Sequence, residues 1–224
     1  MANSASDAGN SEKEIRQRLI ESGVIKQMVT LPSNMFTSVT LPATLWFFDN
    51  AKTKKDEILF IDARNIFTQI DRAHRKFSDE QIKNLGIITR LYEGKTEEFT
   101  ALIQEYKENL EKAPEVSDNK DVMPKSYWQD NINWLIERFP EGKYVDVVGL
   151  CKVAKLEGED GIIDQDYSLN PGRYVGVVIE DDGMTEEEFK AEMLSLNTEL
   201  ESLNVEAHEL EKKIAMNLQE LFNK

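Results

Sequence analysis

Between residues 185 and 222 the chain runs without a proline or a glycine. Apolar residues recur there at Phe189, Met193, Leu196, Leu200, Leu203, Ala207, Leu210 and Ile214, at intervals of 4, 3, 4, 3, 4, 3 and 4. That spacing is the a/d pattern of a coiled coil held for more than three heptads. Thr185 and Glu188 supply a capping box at its start. Beyond Ile214 the slot holds Asn217, and Leu218 and Leu221 carry the stripe on with a shift. At a rise of 1.5 Å per residue the helix reaches ~55 Å, more than a domain of this size covers. Part of the stripe is therefore expected to meet another chain.

The rest of the sequence divides by pattern. Residues 1–10 are small and polar. Ser11 and Glu14 predict a capping box and a helix with Ile15, Leu19 and Ile20 inward, stopped by Gly23. VIKQMVTL (24–31), TLWFFD (44–49) and ILFIDA (58–63) read as strands. The second is so continuously apolar that burial on both faces is expected. Helices follow at 78–92, capped by Ser78 with Gln81, at 96–112, capped by Thr96, and at 127–139, closed by Pro140 and Gly142. Residues 113–124 read as a linker. Residues 143–180 hold two β-prone runs, YVDVVGL and RYVGVVI, among acidic loops.

The net charge is −15, unevenly placed. Residues 1–90 carry 13 Lys+Arg against 11 Asp+Glu, and residues 91–224 carry 14 against 31. Any phosphate-binding surface belongs in the first part, and the acidic second part suits a protein partner. Arg64, Arg72, Arg75 and Lys76, with His74, form a basic segment interleaved with Phe67, Ile70 and Phe77. It is either a solvated surface or a set of phosphate contacts. His74 and His208 stand alone, with no Cys/His cluster at metal spacing. Asp181 and Asp182 read as turn residues before a helix N-terminus, where the dipole favours negative charge. Cys151 reads as a small buried hydrophobe in a reducing, cytoplasmic setting. No apolar run approaches the roughly 18 residues a membrane helix needs, and 1–10 is no signal peptide.

Longer strings carry more than pattern. GNSEKEIRQRLIESGVIKQMVTLPSNMFTSVTLPATLWFFDN (9–50), ILFIDAR (58–64), KYVDVVGLCKVAKLE (143–157) and DYSLNPGRYVGVVIEDDGMTEEEF (166–189) occur in order along the chain. Together they resemble the C-terminal portion of the modification subunit of type I restriction-modification systems, in the N-6 adenine DNA methylase family.

The resemblance implies an α/β fold. Its parts would be the late strands of an incomplete Rossmann-like methyltransferase sheet (1–65), a mainly helical region (66–142), a short β/loop segment (143–183) and a long coiled-coil helix (184–224). It implies a chain that begins in mid-domain, as the product of a truncated or split gene would. In that family S-adenosylmethionine is the cofactor and the amino group of a flipped-out adenine is the acceptor. The aromatic-x-Gly-x-Gly and Asn-Pro-Pro-aromatic motifs of that chemistry do not occur here. Asn170-Pro171-Gly172-Arg173-Tyr174 has the wrong third residue and spacing. No catalytic, cofactor or metal residue is therefore assigned, and the chain alone is expected to bind no cofactor.

What the resemblance does assign is Phe36, in L-P-x-x-x-F, against the flipped base, with plugging of the sheet edge as its other reading. Arg64, Arg72, Arg75 and Lys76 become candidate DNA-phosphate contacts. The implied partners are DNA, a specificity subunit docked on the seam from Phe189 to Ile214, a second modification subunit and a restriction subunit. The alternative function is a non-enzymatic coiled-coil adaptor or self-associating module.

Overall fold

The computed structural model describes residues 3–37, 39–117, 119, 122–178 and 185–222. In chain order its elements are α1 (Asn10–Glu21), β1 (Ile25–Thr30), β2 (Thr44–Phe48), β3 (Glu57–Asp62), β4 (Thr68–Gln69) and β5 (Arg75–Lys76). Then come α2 (Asp79–Tyr92), α3 (Thr96–Lys112), α4 (Lys125–Arg138), β6 (Cys151–Lys155) and α5 (Glu186–Phe222). They fall into two units, residues 1–178 and 179–224.

The first unit is built on a mixed sheet in the order β2-β1-β3-β6. β1 and β3 are parallel, with Gln27 opposite Leu59 and Thr30 opposite Asp62. β2 runs antiparallel to β1, with Val29 opposite Leu45, and β6 antiparallel to β3, with Leu59 opposite Val153. Helices α2, α3 and α4 cover one face through Ile88, Tyr106 and Leu135, with Phe139 just after α4, packed on Val29, Leu59 and Ile61. Ile20 of α1, with Leu169 and Tyr174, covers the other over Met28, Ile58 and Phe60. Phe60 stacks on Tyr174 with ring centroids 3.9 Å apart. The architecture is therefore α/β, with apolar layers on both faces of the sheet.

Burial on both faces belongs to β3, whose Leu59 and Phe60 are fully buried. TLWFF is instead the edge strand. Leu45, Phe47 and Phe48 are 40%, 42% and 51% exposed, because only β1 lies beside β2. An apolar run reports hydrophobicity, not the number of neighbouring strands.

The strand signal at 143–178 also falls elsewhere. CKVAK forms β6, YVDVVG contributes a single bridge, Val147 with Cys151, and Tyr174–Val178 forms no strand. Tyr174 and Val175 are apolar because they pack on the sheet face, and Gly176, at φ 74°, turns the chain. β6 thereby places residues after 143 in the same sheet as β1–β3, and one unit takes in segments that the sequence separates.

Helix starts follow the caps in part. Ser78 and Gln81 form the expected reciprocal box, with Gln81 N donating to Ser78 Oγ at 3.2 Å and Ser78 N to Gln81 Oε1 at 2.9 Å. Thr185 and Glu188 do the same at the start of α5. Ser11 does not cap: α1 begins at Asn10 with Gly9 at its N-cap. Arg16, 3% exposed, donates to Ala5 O and Ala8 O and so fixes the preceding turn without a capping side chain. Thr96 is already helical, with Lys95 at the N-cap of α3, and α4 starts two residues before the predicted 127. Gly23 ends α1 at φ 69°, where a Cβ would meet Lys55 Cβ at 2.8 Å. Asp181 and Asp182 lie outside the described residues.

Candidate nucleic-acid interface

Because β1 and β3 are parallel, their carboxyl ends lie together, which is where open α/β sheets place ligand-binding loops. Leu31 and Pro32 carry the chain out of β1. Pro32 has no N–H to extend a ladder, and Asn34, at φ 61°, reverses direction in a conformation asparagine tolerates. Phe36 follows, bridged to Val39 and 47% exposed.

From β3 the chain enters the β4–β5 hairpin. Its tip is an Asx turn, in which Asp71 Oδ1 accepts from Ala73 N at 2.7 Å and His74 N at 3.0 Å. Asp71 also holds the His74 ring at Nδ1, and these hydrogen bonds keep the Asp71 carboxyl below its ordinary range.

Arg75 joins the two loops. Its backbone N–H donates to Asn34 O at 2.9 Å and its Nη1 to Ser33 Oγ at 2.9 Å. Its Nε donates to Gln69 Oε1 at 3.2 Å, and its guanidinium lies 3.8 Å from the Phe67 ring centroid. The Phe36 loop and the basic hairpin are thus one surface. Arg72 and Lys76 are exposed, and Arg75 is half-buried and oriented. An exposed ring beside exposed cations can stack on a base and contact phosphates.

Arg64 turns instead to Asp62, donating from Nε at 2.9 Å to both carboxylate oxygens and from Nη2 to Oδ2 at 2.5 Å. The hydrogen bond to Asp62 raises the Arg64 pKa. With its fork occupied, Arg64 offers a phosphate less than Arg72 or Lys76 does. Ser33 and Gln69, which fix Arg75, carry no sequence signal, because the pairing of the loops exists only in the fold.

Two other features flank the sheet. A cavity of about 310 Å³, lined by Val29, Leu45, Phe47, Ile82 and Leu85 among others, separates the β1–β2 face from α2. At the amino end of β1, Lys26 bonds Glu93 and lies 3.8 Å from Asp49, while Lys95 is 2.9 Å from Glu93. Burial opposes ionisation of Glu93, but hydrogen bonds and charge from Lys26 and Lys95 outweigh it and hold the carboxyl at about 2. Cys151 is fully buried, and burial pushes its thiol up to about 11. His208 bonds Asn204 O on exposed α5. No group of His, Cys, Asp and Glu suited to a metal occurs among the described residues, and no helix there is long and apolar enough to cross a membrane.

The second unit is α5. Phe189, Met193, Leu196, Leu200, Leu203, Ala207, Leu210 and Ile214 are all exposed along it.

Residues 1–182 match the model of a family described as N-6 DNA Methylase. The chain is 32% identical over 216 residues to the type I restriction enzyme MjaIX methylase subunit of Methanocaldococcus jannaschii, covering 96% of this chain and 30% of the relative. It is 31% identical over 216 residues to the HindI methylase subunit of Haemophilus influenzae, covering 96% and 37%. The chain thus spans about a third of the length of these relatives. A crystal structure of the type I restriction-modification methyltransferase subunit from Streptococcus thermophilus aligns over 78% of this chain and 25% of that one, at 20% identity and a TM-score of 0.47.

Proposed function

The chain belongs to the N-6 DNA methylase family, and we propose that it serves as the C-terminal part of a type I modification subunit, supporting adenine-N6 methylation of DNA within a complex. The late strands of a Rossmann-like sheet then correspond to β1–β3. The observation that carries the reading is the family match over the whole sheet unit, whose parallel strands end at the Phe36 loop and the Arg75 hairpin.

In this reading Phe36 stacks against the flipped adenine, a contact worth roughly 1–3 kcal/mol in comparable sites. Arg72, Arg75 and Lys76 hold the flanking phosphates, with Arg64 at the margin. S-adenosylmethionine supplies the methyl group. The residues at the carboxyl ends of β1 and β3 do not fit that cofactor: Asp62 is taken by Arg64, and the chain has no Gly-x-Gly turn to let its backbone approach a ligand. Cofactor binding and proton removal are therefore assigned to other parts of the subunit. In the same reading the exposed stripe of α5 docks helices of the specificity subunit, and a second modification subunit and a restriction subunit complete the assembly.

Co-expression tests this. The chain is produced with the cofactor-motif portion of a modification subunit and with a specificity subunit, and methyl transfer from S-adenosylmethionine to DNA is measured. Transfer that requires this chain is expected. Equal transfer without it refutes the reading.

A further inference from the structure

We propose that α5 pairs antiparallel with α5 of a second copy of this chain, in the register that sets Leu200 of one copy beside Leu203 of the other. The inference rests on α5 alone and stands or falls independently of methylation. An apolar stripe of eight exposed positions on one helix is an interaction surface. What selects its occupant is the charge beside the stripe.

With Phe189, Leu196, Leu203 and Leu210 at d, and Met193, Leu200, Ala207 and Ile214 at a, the e positions are Lys190, Asn197, Asn204 and Glu211. The g positions are Glu192, Glu199, Glu206 and Lys213. Antiparallel helices set a against d, e against e and g against g. In the proposed register Phe189 meets Ile214, Met193 meets Leu210, Leu196 meets Ala207 and Leu200 meets Leu203, and every contact occurs twice. Lys190 falls beside Glu211 and Glu192 beside Lys213, again twice each. Asn197 falls beside Asn204. The unfavourable contact is Glu199 with Glu206, which also occurs twice.

Other arrangements of two copies do worse. A parallel pair sets g against the e of the next heptad, so Glu192 meets Asn197, Glu199 meets Asn204 and Glu206 meets Glu211. It has no pair of opposite charges and leaves Ala207 facing Ala207 across a gap. Sliding the antiparallel pair by one heptad loses two of the eight layers and at least two of the four attractive pairs. Beyond Ile214 the stripe shifts off the seam, which bounds the paired segment at both ends. The specificity subunit proposed above would exchange for one α5 of this pair.

Sedimentation of the full chain tests the pairing, because the flanking charges are exposed and can be changed without touching a core. A dimer is expected. Glu192→Lys sets Lys against Lys213 at both ends and raises the dissociation constant about ten-fold. Glu192→Lys with Lys213→Glu restores it. Glu199→Lys tightens the dimer, since it turns both repulsive pairs into attractive ones. The double variant Asn197→Cys, Asn204→Cys cross-links between copies. A monomer at the highest soluble concentration overturns the proposal. So does a dimer indifferent to Glu192→Lys, as one formed through the β2 edge would be, or one that the double charge swap fails to restore.

Discussion

The Arg75 guanidinium donates to Ser33 Oγ at 2.9 Å across 42 residues of chain, so the hairpin after β3 holds the loop after β1. Removing the side chain loosens the Phe36 loop, which keeps the backbone bond from Arg75 N to Asn34 O. Arg75→Ala is expected to cost about 1–2 kcal/mol of stability, from the lost hydrogen bonds and the stack on Phe67. Hydrogen exchange of the amides at 33–37, 39 and 40 should quicken. Arg75→Lys keeps the charge but not the planar fork, and in the complex proposed above should rescue DNA affinity better than it rescues exchange protection. Unchanged exchange in Arg75→Ala would show that the loop is held by other contacts.

Phe36→Ala separates stacking from packing. With the residue 47% exposed, little core is lost. In the complex proposed above, methylation should fall more than DNA binding does. A target whose adenine is mispaired, already easier to extrude, should suffer less. Equal losses on paired and mispaired targets would leave Phe36 as a plug of the sheet edge.

The Glu93 carboxylate links α2 to Lys26 of β1, and its pH dependence has a definite sign. The folded value is about 2 against an ordinary 4.5, so the depressed group stabilises the fold above the ordinary value. That contribution is lost as pH falls from about 4.5 toward 2. Glu93→Gln should therefore be less stable by about 2 kcal/mol at neutral pH, discounted for residual solvent contact. Urea unfolding of both proteins should show the gap closing through that window. A gap of constant size from neutral pH down to 2 would assign the loss to shape rather than charge.

What was legible in the sequence was what depends on local spacing. The helix α5, the Ser78 and Thr185 boxes and the strands at 25–30 and 57–62 follow from period and capping alone. The misreadings share a cause: they needed to know what lies beside a segment. TLWFF has the composition of a central strand but stands at the edge. RYVGVV is apolar because Tyr174 lies on Phe60, while CKVAK, less conspicuous, takes the place beside β3. The basic segment after residue 63 was visible as charge. Its division was not: Arg64 is occupied by Asp62, while Arg75 reaches Ser33.

Leu203→Asp sets the role of α5 against that of the sheet unit. Leu203 lies midway along the proposed seam and is 55% exposed on α5, so its loss removes no buried core. Docked against helices of the specificity subunit, it would be buried. Losing a buried leucine typically costs 2–5 kcal/mol, and burying an unpaired carboxylate in its place costs more. Such a change weakens a complex by a factor of 30 or more. Co-purification with the specificity subunit should therefore be abolished. The unfolding of unit 1–178 should be unchanged, because its core is drawn from residues before 176. A partial loss would mean that Leu203 lies at the rim of the contact, and Leu200→Asp with Leu203→Asp then decides. Intact pull-down by that double variant would show that the specificity subunit docks elsewhere on the chain.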